Sequence, residues 1–261
     1  MSTIRGSLEA VVATHRYIWN VRTSAGFVGL MVALLLLGGN SGCQMLSNTQ
    51  NSEGARMFEQ AYYQGAQQRF QQAIQSDPNN PDAYYNLART YHQLGKLHGQ
   101  KSDLQQAESY YHQCLDHDPN HQDCYRGLAV LLVEQGRSAD AFKLVEGWSA
   151  RNPSSPAPRI ELARLYEESG NRDAAKSHLI EAVAADPVNA RALAALGKLR
   201  EDAGDTAQAL ANYQRSLSVD PNQPQVASRI GALSSSAAPL VTPPGGTRMV
   251  TVPAAPTAIV R

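Results

Sequence analysis

Two patterns of apolar residues divide the chain. From Ala25 to Gly39 it reads AGFVGLMVALLLLGG, an uncharged run with Arg5, Arg16 and Arg22 ahead of it. Beyond residue 47 apolar residues return at fixed places on a polar background, as amphipathic helices burying one face require. Five prolines, Pro78, Pro119, Pro153, Pro187 and Pro221, set the register, with separations of 41, 34, 34 and 34 residues. An acid or amide precedes each, at Asp77, Asp118, Asn152, Asp186 and Asp220. Twelve residues before each proline stands Ala66, Ala107, Ala141, Ala175 or Ala209, and eight before stands Phe70, Tyr111, Val145, Leu179 or Tyr213. Nine after comes Leu87, Leu128, Leu162, Leu196 or Ile230, always followed by Ala or Gly. A glycine recurs 17 residues past the first four prolines, at Gly95, Gly136, Gly170 and Gly204. A period of this length marks stacked copies of one supersecondary unit.

The columns resemble the tetratricopeptide repeat, most fully in Tyr84-x-x-Leu87-Ala88-x-x-Tyr91 followed by Ala107, Tyr111 and Pro119. The resemblance implies an all-α fold, a right-handed α-solenoid of antiparallel helix pairs with about five and a half repeats across residues 47–234. Physical logic runs the same way. No single helix pair can bury its apolar face, so neighbours must stack; alanine lets paired helices approach, and glycine closes the turn where a positive φ is convenient. Proline stops the second helix and is tolerated in the first turn of the next. Arg159 and Arg200 depart from apolar positions, and Trp148 stands where a small residue is usual. A polar opening helix near Thr49 to Ala61 suits an end cap. The second copy is seven residues longer, which predicts a polar loop around Lys96 to Ser102 inside its helix-to-helix turn. A last helix, about Pro224 to Leu233, offers Val226, Ile230 and Leu233 to cover the final face.

The apolar run is short for a membrane span but fits an export signal, and the preceding arginines hold its start in the cytoplasm. Residues 1–43 are therefore expected to be a signal peptide or signal anchor. Ser41, Gly42 and Cys43 resemble a bacterial lipoprotein signal, which makes Cys43 the lipidation site; an uncleaved anchor and simple cleavage near Gly42 are the alternatives. All three place the body on the extracytoplasmic side of a bacterium, membrane-anchored in the first two. Residues 235–261 are rich in Pro, Ala, Ser and Gly and are expected to be disordered.

Charge then narrows the partners. Lys and Arg total 23 and Asp and Glu total 23, so the broad basic field of a nucleic-acid binder is missing. No phosphate loop, nucleophile elbow or His-Glu-x-x-His pair occurs, and an enzyme, a cofactor and a small-molecule substrate are not expected. One cluster carries other chemistry: His112, Cys114, His117, His121, Asp123 and Cys124. The turn at Pro119 parts His117 from His121, so a packed cysteine beside solvated histidines is expected and no metal site; a metal- or redox-responsive adaptor is the alternative. Cys114 and Cys124 lie five residues either side of Pro119, where a hairpin can bring them together as a disulfide in an oxidising compartment.

In the resembling family the first helix of each pair lines the concave side. Helical spacing from Leu87 and Tyr91 then directs Tyr85, Arg89 and His92 into the groove. Later copies add Arg126, Val130 and Val133, then Ile160 and Arg164, then Lys198. An apolar middle ringed by cations suits a partner segment that mixes apolar and acidic side chains. The expected function is a protein–protein interaction scaffold of the bacterial envelope, similar in plan to pilus-biogenesis and outer-membrane assembly lipoproteins; a passive spacer is the remaining alternative. The arginines, if not solvated, are expected to pair with Glu134, Glu167 or Glu201.

Overall fold

The computed structural model describes residues 42–236. The expected export segment falls almost wholly outside them, as does the expected tail beyond Ser236. Among the described residues there are helices and no strand. The chain divides into two compact units, one up to Asn171 and one from Arg172. The first holds α1 (residues 42–59), α2 (Tyr63–Ser76), α3 (Pro81–His98), α4 (Lys101–His117), α5 (Gln122–Glu134), α6 (Ser138–Arg151) and α7 (Pro156–Glu168). The second holds α8 (Arg172–Ala185), α9 (Ala190–Asp202), α10 (Thr206–Val219) and α11 (Pro224–Ser236). Within each unit consecutive helices pack together, and in the first unit α3 also touches α5, and α5 touches α7.

The alanine and bulky columns explain the packing. Ala66, Ala107, Ala141, Ala175 and Ala209 are fully buried, and Phe70, Tyr111, Val145, Leu179 and Tyr213 are buried beside them. Cys114, Cys124, Tyr125, Leu128 and Trp148 belong to one core cluster of the first unit. In the second unit Val226, Leu233 and the partly buried Ile230 of α11 pack with Ala209 and Tyr213. Trp148 stacks face to face on Tyr125 with ring centroids 4.3 Å apart, which is how a large residue occupies a column that is small elsewhere. Arg159 turns its guanidinium to the carbonyls of Ser155 and Pro153 rather than into the core.

Side chains punctuate the turns between pairs. Asp77, Asp118, Asp186 and Asp220 each accept a hydrogen bond from the amide two residues on, which fixes the turn containing the proline. The prolines thus sit in the turn itself and not, as the sequence suggested, in the first turn of the following helix; Pro81 and Pro156 take that place. Asn80, His121, Ser155 and Asn189 then cap α3, α5, α7 and α9, each accepting from a backbone amide of the first turn.

Turns within pairs use the glycine column. Gly136, Gly170 and Gly204 have positive φ, and the amide of each following residue returns to the carbonyl five residues back. Ala61 occupies the same place after α1, with φ 58° and the same bonds. The second copy differs from expectation. Gly95 lies inside α3, and Gly99, with φ 66°, makes the turn. The seven extra residues therefore lengthen α3 and α4 instead of forming a loop, because Lys96, Leu97 and His98 accept helical geometry readily. The opening helix also starts earlier than expected. Ser47 is fully buried, donating to Ala73 O and accepting from Asn80 Nδ2.

Candidate functional site

In the first unit the first helices of three successive pairs, α3, α5 and α7, lie side by side. Tyr85 of α3 is half-buried, its ring near those of Tyr111 and His121. Burial and the Asp123 charge push its hydroxyl pKa up, partly offset by Arg89. One turn on, Arg89 lies over the ring of Phe58, 3.8 Å from its centroid, and its Nη2 is 2.7 Å from Glu59 Oε1 on α1. His92 is 8% exposed; its Nε2 lies 2.8 Å from Glu134 Oε2, and Lys96 Nζ donates to Glu134 Oε1. Burial alone would raise the Glu134 carboxyl, but hydrogen bonds and charge from Lys96 and His92 hold it below its ordinary value.

Arg126, Val130 and Val133 follow on α5, all half-buried, with Val133 packed against the core. Arg126 Nε donates to Glu161 Oε1 at 2.9 Å, and its Nη1 lies 3.2 Å from Asp123 Oδ1. On α7, Arg164 Nε donates to the other oxygen of Glu161 at 3.0 Å and its Nη1 to Glu168. Glu161 has no exposed surface. One buried carboxylate therefore holds two arginines by their Nε atoms, and a charge so buried requires such partners. Ile160 is only 5% exposed and forms floor rather than rim.

Of the expected partners of these cations, two have other contacts in the structure. Glu134 is taken by His92 and Lys96, while Glu201, in the second unit, accepts from Tyr213 Oη and pairs with Arg229. Glu161 was the missing residue. Its signal is present in the sequence: Asn86 and Glu161 both stand eight residues after a proline, and each bonds a residue 35 positions earlier, Asn51 and Arg126. Lys198 lies on α9 of the second unit, exposed, beside a cavity of about 680 Å³ that Ala194, Tyr213, Val226 and Arg229 also line.

Cys114 at the end of α4 and Cys124 at the start of α5 are joined as a disulfide, with Cα atoms 6.5 Å apart. His121 is not solvated: its side chain is 11% exposed and engaged at both ring nitrogens. Cys43 is a free, exposed cysteine on α1. No helix among the described residues is long and apolar enough to cross a membrane.

Family models described as TPR repeat and tetratricopeptide repeat match residues 54–95, 100–156, 134–199 and 190–223. None of the curated proteins matches the chain. Among solved structures, a thermophilic TPR protein of Thermus thermophilus is similar at 22% identity and TM-score 0.55, the match covering 72% of this chain and 99% of that one. PilF of Pseudomonas aeruginosa is similar at 14% identity and TM-score 0.50, covering 75% and 86%. At these identities the likeness is one of fold.

Proposed function

We propose that this chain, which belongs to the tetratricopeptide repeat family, is a non-catalytic scaffold that receives a segment of another protein on the α3–α5–α7 face. The observation that carries this reading is the arrangement of that face. Tyr85, Val130 and Val133 remain partly exposed between the Arg89–Glu59 pair and the Arg126–Glu161–Arg164 cluster. Apolar surface edged by guanidinium groups already paired with carboxylates suits a partner whose apolar side chains cover it and whose acidic or polar groups share those N–H donors. The arginines are oriented before binding, so little side-chain entropy is lost when a partner arrives.

The setting we propose is the bacterial envelope, where the scaffold would help assemble a secretion, pilus or outer-membrane machine. Three features support it: the apolar run Ala25–Gly39 behind arginines, the exposed Cys43, and a Cys114–Cys124 disulfide of the kind that oxidising compartments preserve. Cys43 would be the lipidated residue that tethers the chain. Intact mass of membrane-extracted protein, beside Cys43→Ala, tests this; a full-length mass still carrying Met1 would remove lipidation.

The face is tested by in-cell crosslinking and pull-down of the wild type and a Val130→Asp/Arg89→Gln variant. Charge reversal at Arg126 and Arg164 would be a poor choice, because it sets two further carboxylates against the buried Glu161. Loss of a defined envelope partner in a variant that keeps its helical signal is the expected result. Capture of the same proteins by both would turn attention to a passive spacer or another surface.

A further inference from the structure

The turn between α4 and α5 differs from its counterparts at three positions at once. Five residues before the proline, where Ala73, Trp148, Ala182 and Ser216 stand in the other copies, this copy has Cys114. Five after, in the column of Ala83, Pro158, Ala192 and Val226, it has Cys124. Two after the proline the helix cap is Asn80, Ser155 or Asn189 in sibling repeats, but here it is His121. An N-cap needs only an acceptor, which Asn and Ser supply well. The imidazole is thus more than the cap demands, and it occurs where two thiol-bearing residues meet.

The ligand atoms of Cys114, His121 and Cys124 all lie within 4.8 Å of one another. His121 is also oriented as a ligand. Its Nδ1 accepts from the Cys124 amide at 3.2 Å, so the ring proton sits on Nε2 and is donated to Asp82 Oδ1 at 3.0 Å. A carboxylate on the far nitrogen is the usual outer support of a histidine metal ligand, and the near lone pair, here spent on the Cys124 amide, is the one a cation would take. The ring of Tyr85 closes one side, with centroids 5.5 Å apart.

We propose that reduction of the Cys114–Cys124 disulfide converts this clasp into a zinc-type site formed by both sulfurs and His121 Nδ1. The reductant is a dithiol. One of its thiolates attacks a disulfide sulfur and releases the other cysteine; its second thiolate then resolves the mixed disulfide and leaves as a cyclic disulfide. Two electrons and two protons pass to Cys114 and Cys124. Binding of Zn²⁺ releases those two protons to solvent. Zinc–sulfur bonds of about 2.3 Å place the two thiolates roughly 3.7 Å apart in a tetrahedral site, a small opening for Cα atoms already 6.5 Å apart. The third ligand gives up the amide bond of the cap in exchange for a metal–nitrogen bond, and the fourth position is left to water or an external ligand. Both sulfurs are fully buried, so exchange requires local opening of the turn from Asp118 to His121 and is slow. In either state the first turn of α5, the helix that carries Arg126, Val130 and Val133, remains fastened to α4.

The test uses the full chain with Cys43→Ser, reduced and then freed of reductant without oxygen, and titrated with Zn²⁺ against a chromogenic chelator. One equivalent should bind to the reduced chain and none to the oxidised chain. Cobalt(II) in its place should show thiolate-to-cobalt charge transfer. Cys114→Ser should weaken zinc at least 100-fold. His121→Asn, which retains a capping acceptor, should weaken it at least tenfold, and Asp82→Asn about 10- to 100-fold. Zinc affinity unchanged by His121→Asn would mean two thiols acting alone and would overturn the proposal. So would a reduced chain that loses its helical signal and does not regain it with zinc.

Discussion

Arg126 of α5 and Glu161 of α7 meet at 2.9 Å, and the carboxylate has no exposed surface. Arg164 occupies the second oxygen, so neither arginine is simply a free cation awaiting a partner. A single Arg126→Ala change removes one charged hydrogen bond from Glu161 and should cost about 1–3 kcal/mol. Removing both arginines takes away two of the groups that compensate this buried charge, at up to about 3–5 kcal/mol. A double-mutant cycle by urea unfolding should show the losses to be non-additive. Simple additivity with a small total would mean that water reaches Glu161.

Ala61 pays for a left-handed conformation that its sibling turns give to glycine. A non-glycine residue there costs about 1–2 kcal/mol, against roughly 0.5–1 kcal/mol of extra chain entropy for glycine. Ala61→Gly should therefore stabilise the chain, by up to about 1 kcal/mol, while Gly136→Ala at φ 75° should destabilise it by a similar amount. Paired urea midpoints check this, and a lower midpoint for Ala61→Gly would contradict it.

Gly127 faces the ring of Tyr111. An added methyl group would lie 2.5–2.7 Å from Tyr111 Cε1, Cζ and Oη, and that ring is 1% exposed with nowhere to move. Gly127→Ala should cost about 1–3 kcal/mol through overpacking. An unchanged thermal midpoint would show that α4 and α5 are less tightly packed than the structure indicates.

Glu134 gives the pH dependence a sign. Its carboxyl is held below the ordinary value, so the unfolded chain binds its proton more readily than the folded one. Its contribution is complete above the ordinary carboxylate range and is lost as pH falls through the lowered folded value. Lys96 and His92 face it from α3, and Tyr111 of α4 feels its charge. Between pH 7 and pH 3, Glu134→Gln should lose less stability than the wild type. Equal losses would place the titration elsewhere.

The repeat was legible because its columns obey backbone rules that need no partner. Asp77 and Pro78 make a turn, Gly136 makes another, and Ala107 leaves room for a neighbouring helix. The long second copy was misread because residues 96–98 fit a helix as well as a loop, and only Gly99 marks the true turn. The face was legible as far as helical spacing reaches, which gave Tyr85, Arg89, Arg126 and Arg164 their common side. Spacing within one helix says nothing of which acid across the gap is buried, so Glu161 was passed over. Likewise the cap role of His121 depends on the turn that precedes it, so a histidine the sequence grouped with Cys114 and Cys124 was read as solvated.

The central claim is that the α3–α5–α7 face receives a protein segment. Its most direct test places a photocrosslinking amino acid at Val130 on that face and, separately, at the exposed Lys143 on α6. The account predicts one discrete crosslinked partner from position 130, lost when Arg89→Gln is added, and none from position 143. Crosslinking from 143 with nothing from 130 would contradict it.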